Sequence, residues 1–137
     1  MNTDTDSMPD LRAGPSKLLL KEETHRILGC AFDVLNEVGH GLHEKIYENA
    51  LTVCFRLSEI PFEQQRIFPV LFRGHKVGQF VPDLVVFGVV IADPKVIDRI
   101  TDHERGKMIN YLRITKLQVG LILNFKYARL EWERIAL

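Results

Sequence analysis

Hydrophobic positions keep a helical period over the first part of the chain and change to a strand-like period after it. Ile27, Leu28, Ala31, Phe32, Leu35 and Val38 recur at spacings of three and four, which predicts a helix over about 18–38. Gly39-His40-Gly41 stops it. A second helix is expected over about 44–57, burying Tyr47, Ala50, Leu51, Cys54 and Phe55, and Ile60-Pro61 ends it because the residue before proline avoids helical geometry. The period then shortens. Residues 62–72 read as a strand in which Pro69 marks an edge or a bulge, and Arg73-Gly74-His75 reads as a turn. Strands follow over about 76–86 and 89–97, separated by a turn near Phe87-Gly88. Met108, Ile109, Tyr111 and Leu112 predict a helix over 101–115, weakened at Gly106. The run "VGLILNF", 119–125, suits a buried strand, and "ARLEWERIAL" alternates like a half-exposed one. Two helices, three strands, a helix and two strands predict a mixed α/β or α+β domain.

Within this apolar pattern three charged residues stand out. A turn centred near Gly88 sets Asp83 opposite Asp93 across an antiparallel pair, where Cβ atoms lie about 5 Å apart. Lys95, two residues on, shares the face of Asp93. Two carboxylates that close repel unless something positive lies between them. A hard divalent cation meets that need, because Mg²⁺ takes one or two carboxylates and completes its shell with water and phosphate oxygens. Such an ion with a neighbouring lysine suits phosphodiester hydrolysis. The plainer reading is that Asp93-Pro94-Lys95 is a turn at a strand end with Lys95 as a counterion.

Composition changes this picture little, but charge bears on partners. A hydrophobic fraction of 46% over 137 residues supports one core of ordinary size. No stretch is long and apolar enough for a membrane span. Residues 1–17 are polar and acidic with Pro and Gly, and read as a loose leader to a domain over 18–137. Two cysteines and no secretion signal point to a reducing, cytoplasmic setting. Net charge is zero, which counts against a protein that coats nucleic acid. Residues 99–137, however, hold eight Lys/Arg against four acids, enough for a modest basic face.

Pro82-Asp83 followed by Asp93-x-Lys95 resembles the motif of the PD-(D/E)xK nuclease superfamily. "GLHEKIY", with Gly41, Glu44 and Tyr47, is similar to the GxxExxY motif of one bacterial branch, as are "NYLRIT" and "VGLILNF". The resemblance covers about 18–137. It implies a restriction-endonuclease-like αβββαβ core, a mixed sheet flanked by helices, and a site using Mg²⁺ or Mn²⁺. Asp83, Asp93 and Glu44 would hold the metal, and Lys95 would act on the attacking water. The implied substrate is nucleic acid, with DNA ahead of RNA. A domain this small has limited surface for gripping a duplex, so a homodimer or a partner is one way to complete it. Lys107 stands where many relatives carry a glutamine, and Pro94 replaces the usual apolar residue between acid and lysine. Those departures, with the neutral net charge, favour a rival reading: a catalytically silent binding or accessory module that keeps the fold.

Other residues carry plainer expectations. Cys30 and Cys54 lie on apolar helical faces and suit the core, without metal-ligand spacing. Tyr47 suits a structural role with a polar contact. Arg73, Lys76, Arg105, Lys107 and Arg113 could each touch phosphate, but each alone reads as a solvated charge. No histidine carries an assigned role, and Trp132 reads as packing.

Overall fold

The structure is a computed structural model and describes residues 20–137; the leader expected over 1–17 lies outside the described residues. Helices α1 (Lys21–Val38) and α2 (Glu44–Leu57) come first. Strands β1 (Phe62–Gln64), β2 (Phe68–Phe72), β3 (His75–Phe80), β4 (Leu84–Val86) and β5 (Val90–Lys95) follow. Helix α3 (Asp102–Thr115) then leads to β6 (Val119–Asn124) and β7 (Glu131–Ala136). Five strands make one mixed sheet in the order β1-β4-β5-β6-β7, with β5 and β6 parallel and the other pairs antiparallel. The α3 connection makes the parallel step possible, because parallel neighbours need a long crossover.

Two of the expected strands each break in two. Gln65 takes a left-handed backbone (φ 59°) just after β1, and Val81-Pro82 separates β3 from β4. The excised halves, β2 and β3, pair only with each other as a two-stranded ribbon outside the main sheet. Pro69 lies in this ribbon, and the register shifts beside it at Val70/Leu71, so both signs expected of that proline are present.

The sheet is covered on both faces. Helices α1 and α2 bury Ile27, Ala31, Leu35, Tyr47, Leu51 and Phe55 against Leu84, Val86, Val90, Ala92 and Leu121. On the other face Met108 and Leu112 of α3 pack with Ile91 and Ile122. Helix α3 can approach closely because residue 120 is glycine; the Met108 side chain fills the space its Cβ would need. A capping box at Thr101 and Glu104 starts α3. A bidentate ion pair from Arg105 to Glu133 ties its first turns to β7. Gly106 is accommodated within the helix.

Candidate active site

The turn between β4 and β5 has the expected centre. Phe87 and Gly88 both take positive φ (57° and 73°), the geometry of a type I′ turn, and Val89 N–H donates to Val86 O at 3.1 Å. The resulting register pairs Val86 with Val90, Val85 with Ile91 and Leu84 with Ala92. Asp83 is the next residue out from Leu84, and Asp93 the next from Ala92. Alternation therefore aims Asp93 and Lys95 at the face of Ile91, away from the α1–α2 layer.

Asp93-Pro94-Lys95 is strand, not turn. The three residues pair in continuous parallel register with Ile122, Leu123 and Asn124, and Phe125 N–H donates to Lys95 O at 2.9 Å. Because successive residues bond to opposite sides, Pro94 turns its nitrogen toward β4, whose ladder has already ended at Ala92. No hydrogen bond is lost and no bulge forms, so proline fits this position without misdirecting the lysine.

Lys95 Nζ lies 3.5 Å from Asp93 Oδ1, both side chains being largely shielded. Burial pushes the Asp93 carboxyl up to about 6, opposed by Lys95 and reinforced by Asp83 and Glu44. Asp83 is also raised, first by burial and then by Glu48. Lys95 ends above its usual value, because Asp93 and Glu44 outweigh the burial that would lower it. The lysine therefore stays protonated at neutral pH.

Glu44 opens α2, on the opposite layer from Asp93. Its side chain is exposed, and it lines a shallow cleft of about 420 Å³ with Gly41, Leu42, His43, Ile46 and Val96, the residue that follows β5. Partial desolvation raises its carboxyl, and it feels Lys95 and Asp83. Glu44 thus stands at the rim of the group, near the end of β5. The glycine turn before it is held by Tyr47, whose hydroxyl donates to Gly39 O (2.7 Å) and accepts from Leu42 N–H (3.0 Å). The Tyr47 ring stacks on Phe125 at 4.4 Å. Gly41, at φ 77°, donates its N–H to Phe125 O. The glycine and tyrosine of "GLHEKIY" thereby place the first residue of α2 beside the end of the central strands.

Two neighbours escape sequence reasoning. Glu48 is buried and accepts from Lys45 Nζ (3.2 Å) and Gln64 Nε2 (3.0 Å); its charge raises both Asp83 and Glu44. Its place one turn after Glu44 is the available signal, but its burial is a tertiary fact. Tyr111 of α3 stacks on Phe80 at 4.1 Å and adds to the field that raises Lys95. Lys107, one turn earlier, is exposed. Among the described residues, no three His, Cys, Asp or Glu side chains come close enough together to hold an ion by themselves. Cys30 is a core thiol that burial pushes up to about 12. Trp132 remains exposed on β7, where packing was expected.

Three helices around a mixed five-stranded sheet, with α2-β1-β4-β5-α3-β6 as the central run, form a restriction-endonuclease-like fold. A family model described as the PD-(D/E)XK nuclease superfamily matches residues 21–135. The chain belongs to that superfamily. No match was found among curated proteins or among solved structures. No helix among the described residues is long and apolar enough to cross a membrane.

The raised Asp93 carboxyl has a consequence for stability. The metal-free native state keeps its proton up to about pH 6, whereas the unfolded chain releases it near 3.8, the ordinary value for an aspartate. Between those values the native state binds more protons, so this group's contribution falls as pH rises through the window. Asp93→Asn removes the decline. In chelator at pH 7 the variant is expected to be more stable on the order of 2 kcal/mol, the difference closing toward pH 4. Thermal melts across that range check it; a variant several degrees less stable than wild type at pH 7 would make Asp93 a structural hydrogen-bonding residue.

Proposed function

We propose that the chain is a nuclease of the GxxExxY branch that hydrolyses nucleic-acid phosphodiesters with Mg²⁺ or Mn²⁺. The observation that carries this reading is the Asp93–Lys95 pair on one face of β5, with Asp83 as the residue just before β4, one step beyond the Leu84–Ala92 pair. The donor chemistry fits a hard cation: Asp83 and Asp93 are oxygen donors, both raised first by burial, and a neighbouring carboxylate raises each further, Glu48 for Asp83 and Asp83 with Glu44 for Asp93. These two would hold the ion. Glu44, at the rim, would bind it directly or through water. Because no three ligating side chains converge among the described residues, most of the shell would fall to water and phosphate. When bound, the cation supplies charge stabilisation at the phosphate. Lys95, held protonated by Asp93 and Glu44, would donate to the attacking water or to a phosphate oxygen.

A nuclease assay over single- and double-stranded DNA and RNA, with Mg²⁺, with Mn²⁺ and with chelator, tests the reading. Cleavage that needs a divalent ion supports it. No cleavage of any substrate would leave the accessory-module reading, which the exposed Lys107 in place of glutamine favours. Because the protein supplies few ligands, Mn²⁺ alone should bind weakly, and Asp83→Asn should weaken it further by calorimetry. Equal binding by both proteins would remove Asp83 from the site.

A further inference from the structure

The β2–β3 ribbon is tied to the body at its base, where Phe68 is buried and Phe80 packs against the Ile91, Met108 and Leu112 cluster, and its far end serves no core. His75 to Gln79 are all exposed, and successive strand residues face opposite ways, so the ribbon stands clear of the body on both faces over that stretch. It nevertheless shows large apolar side chains: Leu71 is 59% exposed, Phe72 60% and Val77 63%. In a chain of zero net charge, residues 65–82 hold Arg66, Arg73 and Lys76 and no acid. Arg73 lies over the Phe72 ring at 5.1 Å, and neither Arg73 nor Lys76 makes an ion pair among the described residues. The base of the ribbon is anchored at the candidate site. Phe80 stacks on Tyr111 beside Lys95, and Val81-Pro82 leads directly into Asp83.

We propose that this ribbon is a DNA-docking element that enters the major groove of the duplex whose backbone lies at Asp83, Asp93 and Lys95. The proposal rests on the nuclease reading and narrows its substrate to double-stranded DNA. Five or six residues per strand span about 17–20 Å, enough to reach along a duplex from a cut site at the ribbon's base. A B-form major groove is about 12 Å wide and admits a two-stranded ribbon. The deep, narrow major groove of duplex RNA does not. Charge and apolarity together suit this occupant: Arg73 and Lys76 match flanking phosphates, while Leu71, Phe72 and Val77 can contact thymine methyl groups. An apolar protein partner would have no need of an acid-free strip.

The test is fluorescence anisotropy in chelator, so that binding is read without turnover. The full chain is titrated with a labelled DNA duplex of roughly two helical turns and with the RNA duplex of the same sequence, across a salt series. The wild type should prefer the DNA duplex. Arg73→Gln/Lys76→Gln, a surface change that leaves the core intact, should weaken DNA binding on the order of tenfold and flatten the slope of log K against log salt by about 2. Phe72→Ser should weaken binding with the slope unchanged. Wild-type affinity and slope in the charge variant, or equal binding of the RNA duplex, would overturn the proposal. So would sedimentation showing a wild-type dimer that Phe72→Ser converts to monomer with DNA binding intact, because the ribbon would then be a contact between copies. Hydrolysis of bis(p-nitrophenyl) phosphate with Mn²⁺ is measured separately. That diester is too small to reach the ribbon, so its turnover speaks to the nuclease reading alone.

Discussion

Asp93→Asn is expected to lower metal-dependent cleavage by about a thousandfold or more, equivalent to about 4 kcal/mol of transition-state stabilisation. Asp93 is the most strongly raised carboxyl of the group, because β5 runs through the middle of the sheet and leaves it little water. An amide there would keep the shape of the side chain but lose the negative charge that a cation needs. Mn²⁺ binding should fall with activity. Lys95→Ala should lose activity about a hundredfold to a thousandfold, the usual cost of removing one donor aimed at developing charge. It should keep its metal, because removing Lys95 takes away a positive charge 3.5 Å from Asp93. Steady-state cleavage and Mn²⁺ calorimetry on both variants distinguish these outcomes. A Lys95→Ala protein that cleaves at the wild-type rate would remove the lysine from the chemistry and leave it as a counterion.

Asn124→Ala is expected to destabilise the fold by about 2–4 kcal/mol. Asn124 is almost wholly buried, at the β6 position paired with Lys95. Its Nδ2 donates to Ile97 O (2.9 Å) and Glu131 Oε1 (2.8 Å), and its Oδ1 accepts from Ile97 N–H (3.1 Å) and Lys126 N–H (3.3 Å). Glu131 in turn accepts from Ile100 N–H. One amide thus takes the place of a strand neighbour for the segment between β5 and α3, and alanine would leave several of these groups without partners. The cost should appear as a melting temperature lower by roughly 10 °C. Hydrogen exchange should quicken at Ile97 and Ile100. A shift of under about 2 °C would show that water replaces the amide and that the segment holds itself.

The sequence determined the local elements, and with them the part of the site that depends on neighbouring residues. The period of three and four marked α1 and α2 to within a few residues. Gly88 located the turn, and the strand period of two then set Asp83 against Asp93 and put Lys95 on the face of Asp93. All of this is short-range geometry, fixed by chirality, sterics and the alternation of side chains. Tertiary structure decided what such rules do not reach. Long strands over 62–72 and 76–86 fit the local pattern, but pairing with β4 uses only three residues of β1, and the remaining halves fold on each other as the ribbon. Pro94 reads locally as a turn residue, yet β6 supplies a parallel partner and β4 ends before the missing N–H matters. Glu48 and Tyr111 join the neighbourhood of the site only because separate elements fold against the central strands. The charge on each acid could not be read from spacing either. Desolvation depends on what covers a group, and the burial of Asp93 exists only once the sheet has assembled around β5.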